Sequence, residues 1–228
     1  QRDGLPNVLV LRSEGPVFSS GHDLKALASA SHDEVKEIFS LCAEVMSLIR
    51  RSPAIVVCPI QGLATAAGFQ LAMTTDYPIA LASTQFCLPG MGLGLPCTSP
   101  STAVSRRLPP ALAYRMFASA ETVRADQLHG AVDVVPVPEQ AEQGGSAATA
   151  AFETRVSEVI QKLAERTPGQ SQALGKWAFW TQRSIGQSSS ILGPEIKGEE
   201  VAGGDDYADA AKWAGRVMAL HAKSADAK

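Results

Sequence analysis

The run IQGLATAAGFQLAMTTD, Ile60 to Asp76, constrains the fold of this chain more than any other stretch. Ile55, Val56, Val57 and Ile60 form a β-branched apolar run that reads as a buried strand over Ala54–Ile60. Gly62, Ala64, Ala66, Ala67 and Gly68 then leave almost no side-chain bulk where the chain must bend, and a buried helix follows over Gly68–Thr75. The first turn of such a helix has unpaired N–H groups and the positive end of the dipole, so it favours an oxygen carrying negative charge. Its one polar side chain is Gln70, an amide that can orient a ligand but cannot serve as a proton-transfer base.

The rest of the pattern alternates strand and helix. Asn7 to Arg12 reads as a strand, broken by turn chemistry from Gly15 to Gly21. Ser31 and Glu34 have capping-box spacing, and Val35, Ile38, Phe39, Cys42, Val45, Met46 and Ile49 recur at helical intervals until Pro53 stops the helix. Pro78–Ala82 and Val132–Val137 are expected strands, and Leu112–Phe117 and Arg124–His129 expected short helices. Pro89 to Pro100 is a Gly/Pro-rich connection. Glu139 to Ala150 is polar and of low complexity, and is expected to be a flexible linker. Beyond it, helices are expected over Ala151–Arg166, around Leu174–Trp180, and from Tyr207 to about Lys223, with Ser184–Asp206 a possible insertion. Trp177, Trp180 and Trp213 read as packing or subunit-contact residues. This order argues an α/β core at 1–138 followed by a helical region at 151–228.

Composition excludes several function classes. Twenty Lys and Arg against 23 Asp and Glu, with no basic stripe and 6% aromatic residues, give no footing for nucleic-acid binding. Cys42, Cys58, Cys87 and Cys97 lack CxxC spacing and paired histidines, so neither zinc nor a disulfide framework is expected, and a reducing compartment or mitochondrial matrix fits. The longest apolar span, Pro53–Met73, is broken by Pro59, Gln61, Gly62, Gly68 and Gln70, so no membrane span is expected. The chain opens in mid-pattern, which suggests that N-terminal strands are missing.

Two co-linear motifs carry a family resemblance. Phe18-Ser19-Ser20-Gly21-His22-Asp23-Leu24-Lys25 is followed by Gly62-Leu63-Ala64-Thr65-Ala66-Ala67-Gly68-Phe69-Gln70-Leu71 and Asp76, then by Phe86, Pro89 and Gly92–Leu95. Together they resemble the enoyl-CoA hydratase/isomerase (crotonase) family, a likeness that extends from about Val8 to Trp180 and includes Glu121–Gly130. The resemblance implies a ClpP/crotonase-like spiral of ββα units, assembled as a homotrimer or hexamer through the helical C-terminal part. It also implies an acyl-CoA thioester as ligand, coenzyme A arriving with the substrate and no separate cofactor, and a mitochondrial location.

By the same resemblance the thioester oxygen sits between the backbone N–H groups of Ser20 and Ala67, with Gly21, His22, Asp23, Leu24, Lys25 and Gly68 lining the ligand. Two donors fixed on that oxygen stabilise an enolate, each worth about 3 to 4 kcal/mol in comparable sites. The family's hydratases hold and deprotonate water with two glutamates, and those positions fall on Gln70 and Gly90. Standard hydration is therefore not expected, leaving isomerase, hydrolase or other enolate chemistry, or an inactive acyl-CoA-binding subunit. Cys97 falls where some isomerases carry their base; it reads either as a proton carrier or as a small buried filler. His22 is either a titratable group at the pocket edge or a surface-loop residue, and Lys25 either a contact to CoA phosphate or a solvated helix start. Asp23 reads as tying its loop by hydrogen bonds. A ClpP-like serine peptidase is disfavoured because no Gly-x-Ser-x-Gly elbow surrounds a serine.

Overall fold

The computed structural model describes residues 6–128, 130–137, 146–166 and 168–184, together with Ala211, Lys212, Gly215, Arg216 and Ala219 in helical turns. Within it, β1 (Val8–Val10), β2 (Ile55–Ile60), β4 (Tyr77–Leu81) and β7 (Asp133–Val135) form one parallel sheet in the order β1-β2-β4-β7. A second, smaller sheet holds β3 (Leu63–Thr65), β5 (Gln85–Cys87) and β6 (Thr122–Arg124), with β3 parallel and β6 antiparallel to β5. Each long strand of the first sheet therefore feeds a three-residue strand of the second. A helix then returns the chain: α3 (Ala67–Thr74) after β2–β3, and α4 (Thr98–Arg107) after β4–β5. That repeating step is the ββα spiral the sequence implied. Ser19 joins it, bridging Ala64 beside β3.

The helices form for local reasons that the sequence carried. Asp23 caps α1 (Leu24–Ser29), its Oδ1 accepting from the amides of Lys25 at 2.8 Å and Ala26 at 3.2 Å. Ser31 and Glu34 close a full capping box on α2 (His32–Arg51), with the Ser31 amide donating to Glu34 Oε2 at 2.7 Å. Pro110 opens α5 (Pro110–Ser119) at the position where a missing N–H costs nothing.

The main core lies between the two sheets and helices α2 to α5, around Phe69, Phe86, Met73, Ile60, Leu88 and Met116. A second cluster, Val57, Ile79, Phe152, Val156 and Val159, buries α6 (Ser146–Glu165) on the other face of the parallel sheet. Helix α7 (Gly169–Ser184) is fastened by a buried cation: Lys176 Nζ donates to Asp76 Oδ2 at 2.6 Å and to the carbonyls of Ile49 and Ala54 at 2.9 Å. Burial pulls the Lys176 pKa down while Asp76 opposes it. The same Asp76 takes the Val56 amide and the Trp180 indole N–H, and the Arg50 guanidinium lies 3.5 Å over the Trp180 ring.

Several sequence expectations need correction. Residues 146–150, assigned to the flexible linker 139–150, form the first turns of α6, because Ala148 and Phe152 are fully buried; 138–145 lie outside the described residues. Arg124–His129 is not a short helix but the end of β6 and a single 3-10 turn at Ala125–Gln127. Pro89–Pro100 is not merely a connection: it holds a 3-10 turn, Pro89–Leu93, and the start of α4. Of the two readings of Trp177, packing within this chain does not hold, since it is 67% exposed; the subunit-contact reading remains. Trp213 and the segment Ser184–Asp206 beyond its first residue lie outside the described residues, as does most of Tyr207–Lys223. No described helix is long and apolar enough to cross a membrane.

Candidate active site

The turn between β3 and α3 and the loop after β1 meet in a tight seam. Ser19 N donates to Leu63 O at 3.2 Å and Thr65 N to Ser19 O at 2.9 Å, while Thr65 Oγ1 donates to Ser20 O at 3.1 Å. The approach is so close that a Cβ on Gly68 would lie 2.5 to 2.7 Å from Ser19 O, Cβ and Oγ. Glycine is required at 68 for that contact. On the neighbouring edge, a Cβ on Gly21 would stand 3.1 Å from both Ala67 N and Ala66 Cβ. Residues some forty positions apart thus form one surface.

Hydrogen-bond accounting within the seam leaves over the amides of Ser20, Ala67 and the buried Gly68, so two accessible ones remain. The Phe18, Ser19, Thr65, Ala66 and Gln70 amides each donate to a carbonyl, and Gly21 N donates to Ser19 Oγ at 3.3 Å. Among the described residues no acceptor takes the N–H of Ser20 or of Ala67. Ser20 is exposed and Ala67 half-buried, so both can reach a ligand. Backbone N–H groups rarely stay unpaired unless solvent or a ligand takes them. A pair on two adjoining segments, one opening an α-helix, has the donor chemistry of an oxyanion hole.

Ala66 shapes this seam. It is the residue before α3, with φ 49° and ψ −121°, a conformation that costs a non-glycine residue about 1–3 kcal/mol. Its own amide donates to Cys87 O at 3.1 Å.

The other side of the site is filled. Gln70 is fully buried, its Nε2 donating to Ser99 Oγ at 3.4 Å and its Oε1 accepting the Cys42 thiol at 3.9 Å. Gly90 has no room for any side chain, since a Cβ there would overlap Leu95 O and lie 2.8 Å from Cys97 N and Sγ. The Gly90 amide donates to Cys97 Sγ at 3.3 Å. Burial pushes the Cys97 thiol up to about 11 despite that hydrogen bond, and burial likewise raises Cys42 to about 11. Neither is a thiolate near neutral pH.

His22 is half-buried with its ring set edge-on to Phe39 at a centroid distance of 5.1 Å, and burial lowers its pKa. His22 is thus an imidazole resting on Phe39, biased to its neutral form by burial. Asp23 is committed to its helix cap. Leu24 is 49% exposed, and Lys25 is exposed at the start of α1.

Sequence reasoning missed four participants. Ser19 Oγ and Thr65 Oγ1 hold the seam, and both stand inside the quoted motifs, so their small polar side chains were a usable signal. Ser99 lies in a segment without periodicity, and nothing in an alanine announces a positive φ at position 66. No group of three potential metal ligands occurs among the described residues.

Comparison with known proteins agrees with this geometry. Residues 2–179 match the family described as enoyl-CoA hydratase/isomerase. Enoyl-CoA hydratase domain-containing protein 3, mitochondrial, of Rattus norvegicus is 38% identical over 178 residues, 77% of this chain and 55% of the relative. The chain thus spans about half the length of the curated relatives it matches. The crystal structure of the human enoyl-CoA hydratase domain-containing protein 3 superposes with a TM-score of 0.69 at 35% identity, covering 78% of this chain and 67% of that one. An enoyl-CoA hydratase from Mycobacterium smegmatis superposes with a TM-score of 0.70 at 29% identity, covering 97% and 75%. With the spiral of ββα units, the paired motifs in one seam and this match over most of its length, the chain belongs to the enoyl-CoA hydratase/isomerase family.

Proposed function

We propose that the chain binds an acyl-CoA thioester and holds its carbonyl oxygen between the N–H groups of Ser20 and Ala67, without the acid-base pair for hydration. The observation that supports this most is the pair of unclaimed amides on one seam. When an α-proton leaves such a thioester to a base, the C–H electron pair forms a bond to the carbonyl carbon and the carbonyl π pair moves onto the oxygen. Two fixed donors stabilise the oxygen that gains charge. Hydration needs in addition a group that deprotonates water. Gln70 is a neutral amide engaged with Ser99 and Cys42, Gly90 has no space for a side chain, and Cys97 is held as a thiol.

The second reading is a catalytically silent acyl-CoA-binding subunit. It is favoured by the same closed side, where Gln70 and Cys97 are neutral and packed and Gly90 has no room for a side chain. In either case we place the protein in acyl-CoA metabolism, in mitochondria as the names of its relatives state for them, and as a homotrimer built through the helical region at 151–228.

Calorimetric titration with butyryl-CoA and octanoyl-CoA tests the shared part: saturable binding is expected, and no heat at millimolar ligand overturns it. Incubation in heavy water then separates the two readings. Deuterium at the acyl α-carbon marks enolate chemistry; its absence from a ligand that binds marks the silent subunit.

A further inference from the structure

Resting on the reading of Ser20 and Ala67 as an oxyanion hole, we infer that Ala66 is the positioning residue that aims the Ala67 N–H, through a backbone conformation it is held in against its preference. β3 and β5 pair in parallel through Thr65 and Cys87, and the ladder continues one residue further, Ala66 N donating to Cys87 O at 3.1 Å. A strand that simply continued would keep ψ near +115° at Ala66. The observed ψ of −121° turns the next peptide plane by roughly 120° from there, so the Ala67 N–H leaves the ladder. It emerges beside Gly21, within the seam that carries the Ser20 amide. The positive φ of 49° lets the chain pass from strand to helix within this one residue.

Two contacts maintain the turn. Cys87 O fixes the Ala66 amide on one side, and on the other Gly21 stands so near that a Cβ there would lie 3.1 Å from Ala66 Cβ. Ala66 carries no proton-transfer group of its own, so its effect on a ligand is carried by the direction of the Ala67 N–H. Hydrogen bonds weaken steeply with misalignment. A residue that refuses positive φ should therefore cost carbonyl polarisation before it costs the fold.

The test compares side chains of similar size and opposite tolerance of this conformation. The φ 49°, ψ −121° of Ala66 is that of the first central residue of a type II′ turn, where Gly and Asn are accepted and a β-branched residue is a true outlier. The readout is the infrared stretch of an isotope-labelled thioester carbonyl in crotonyl-CoA bound to the full chain, with binding followed by calorimetry and folding by circular dichroism. In the parent protein the stretch shifts to lower frequency on binding. Ala66→Asn and Ala66→Gly are expected to retain that shift, and Ala66→Gly to raise the thermal midpoint as strain is released. Ala66→Val is expected to lose most of the shift and to weaken binding roughly tenfold, the scale of one lost hydrogen bond.

Equal retention of the shift by folded Ala66→Val and Ala66→Asn overturns the inference, as does equal loss in both, which would assign the effect to bulk against Gly21. Should Ala66→Val not fold, Ala66→Gly decides: a lowered thermal midpoint, or loss of the shift, overturns it. Absence of a shift in the parent protein that still binds overturns the oxyanion-hole reading itself, a different outcome from failure of Ala66 to position it.

Discussion

The two halves of the candidate site are built on opposite plans. Along the seam of Ser19–Gly21 and Ala66–Gly68, the chain tolerates a strained alanine and a glycine-only contact, and leaves two accessible amides without protein partners among the described residues. Around Gln70, Gly90 and Cys97 the same fold spends its space and hydrogen bonds on itself. Natural chains keep strain where it serves a ligand and relax it where nothing binds. The contrast teaches that binding of the thioester oxygen and proton transfer are separable in this architecture, because the donors are backbone groups set by turn geometry whereas the acids and bases are side chains that single substitutions remove.

Breaking the open half should produce the largest effect. Gly68→Val places side-chain atoms on the Ser19 backbone, so the loop after β1 must retreat and carry Ser20 with it. Acyl-CoA affinity is expected to fall by about 100-fold, because the ligand-lining loop retreats together with the Ser20 donor, a loss of one hydrogen bond to the carbonyl and of the packing around it. Calorimetry checks this on protein whose circular dichroism is intact.

Probing the closed half should cost stability instead. Gly90→Glu forces Leu95 and Cys97 apart and buries a carboxylate, which is expected to lower unfolding free energy by about 3 kcal/mol without creating hydration activity. Urea unfolding and a crotonyl-CoA assay read the two parts. Hydration by this variant would show that the closed half needs only its missing carboxylate.

A smaller effect follows from the buried thiols. Burial raises Cys42 and Cys97 from the ordinary 9.0 to about 11 and Cys58 to about 12. A group whose folded pKa is raised contributes stability that is complete below the unfolded value and is lost as pH climbs toward the folded one. Stability should thus decline from about pH 9 upward, by about 1.4 kcal/mol per pH unit for each thiol. Cys97→Ser should remove one thiol's share of that slope, measured as unfolding midpoints between pH 8 and pH 10.5. The smallest expected change is that of Lys25→Ala: a loss of about 0.2–1 kcal/mol in acyl-CoA affinity that fades with added salt, as for an exposed charge.

Sequence legibility follows the same division. The strand-turn-helix of Ile60–Asp76 and the capping box at Ser31 and Glu34 were readable because periodicity and caps are local properties. The pairing proposed for Ser20 with Ala67 comes only through the family resemblance, since nothing local joins them. β3, β5 and β6 were not legible: three residues are too few to show alternation, and each exists only by pairing with the others. Helix α4, TSPSTAVSRR, has weak intrinsic preference and forms because Ala103 and Val104 are buried in the main core, so tertiary packing overrides propensity. Phe39 beside His22, and Ser99 beside Gln70, are contacts between distant elements that no spacing announces.

One measurement tests the separation of the two halves most directly: crotonyl-CoA is titrated into the purified chain, and the same mixture is followed by mass spectrometry for a product heavier by one water. Saturable binding with no hydrated product is predicted, the thioester held at Ser20 and Ala67 with no base to activate water. Enzymatic hydration that persists in Cys97→Ser and disappears in Gln70→Ala would contradict it, because the buried amide side of the site would then be doing the chemistry assigned to glutamate.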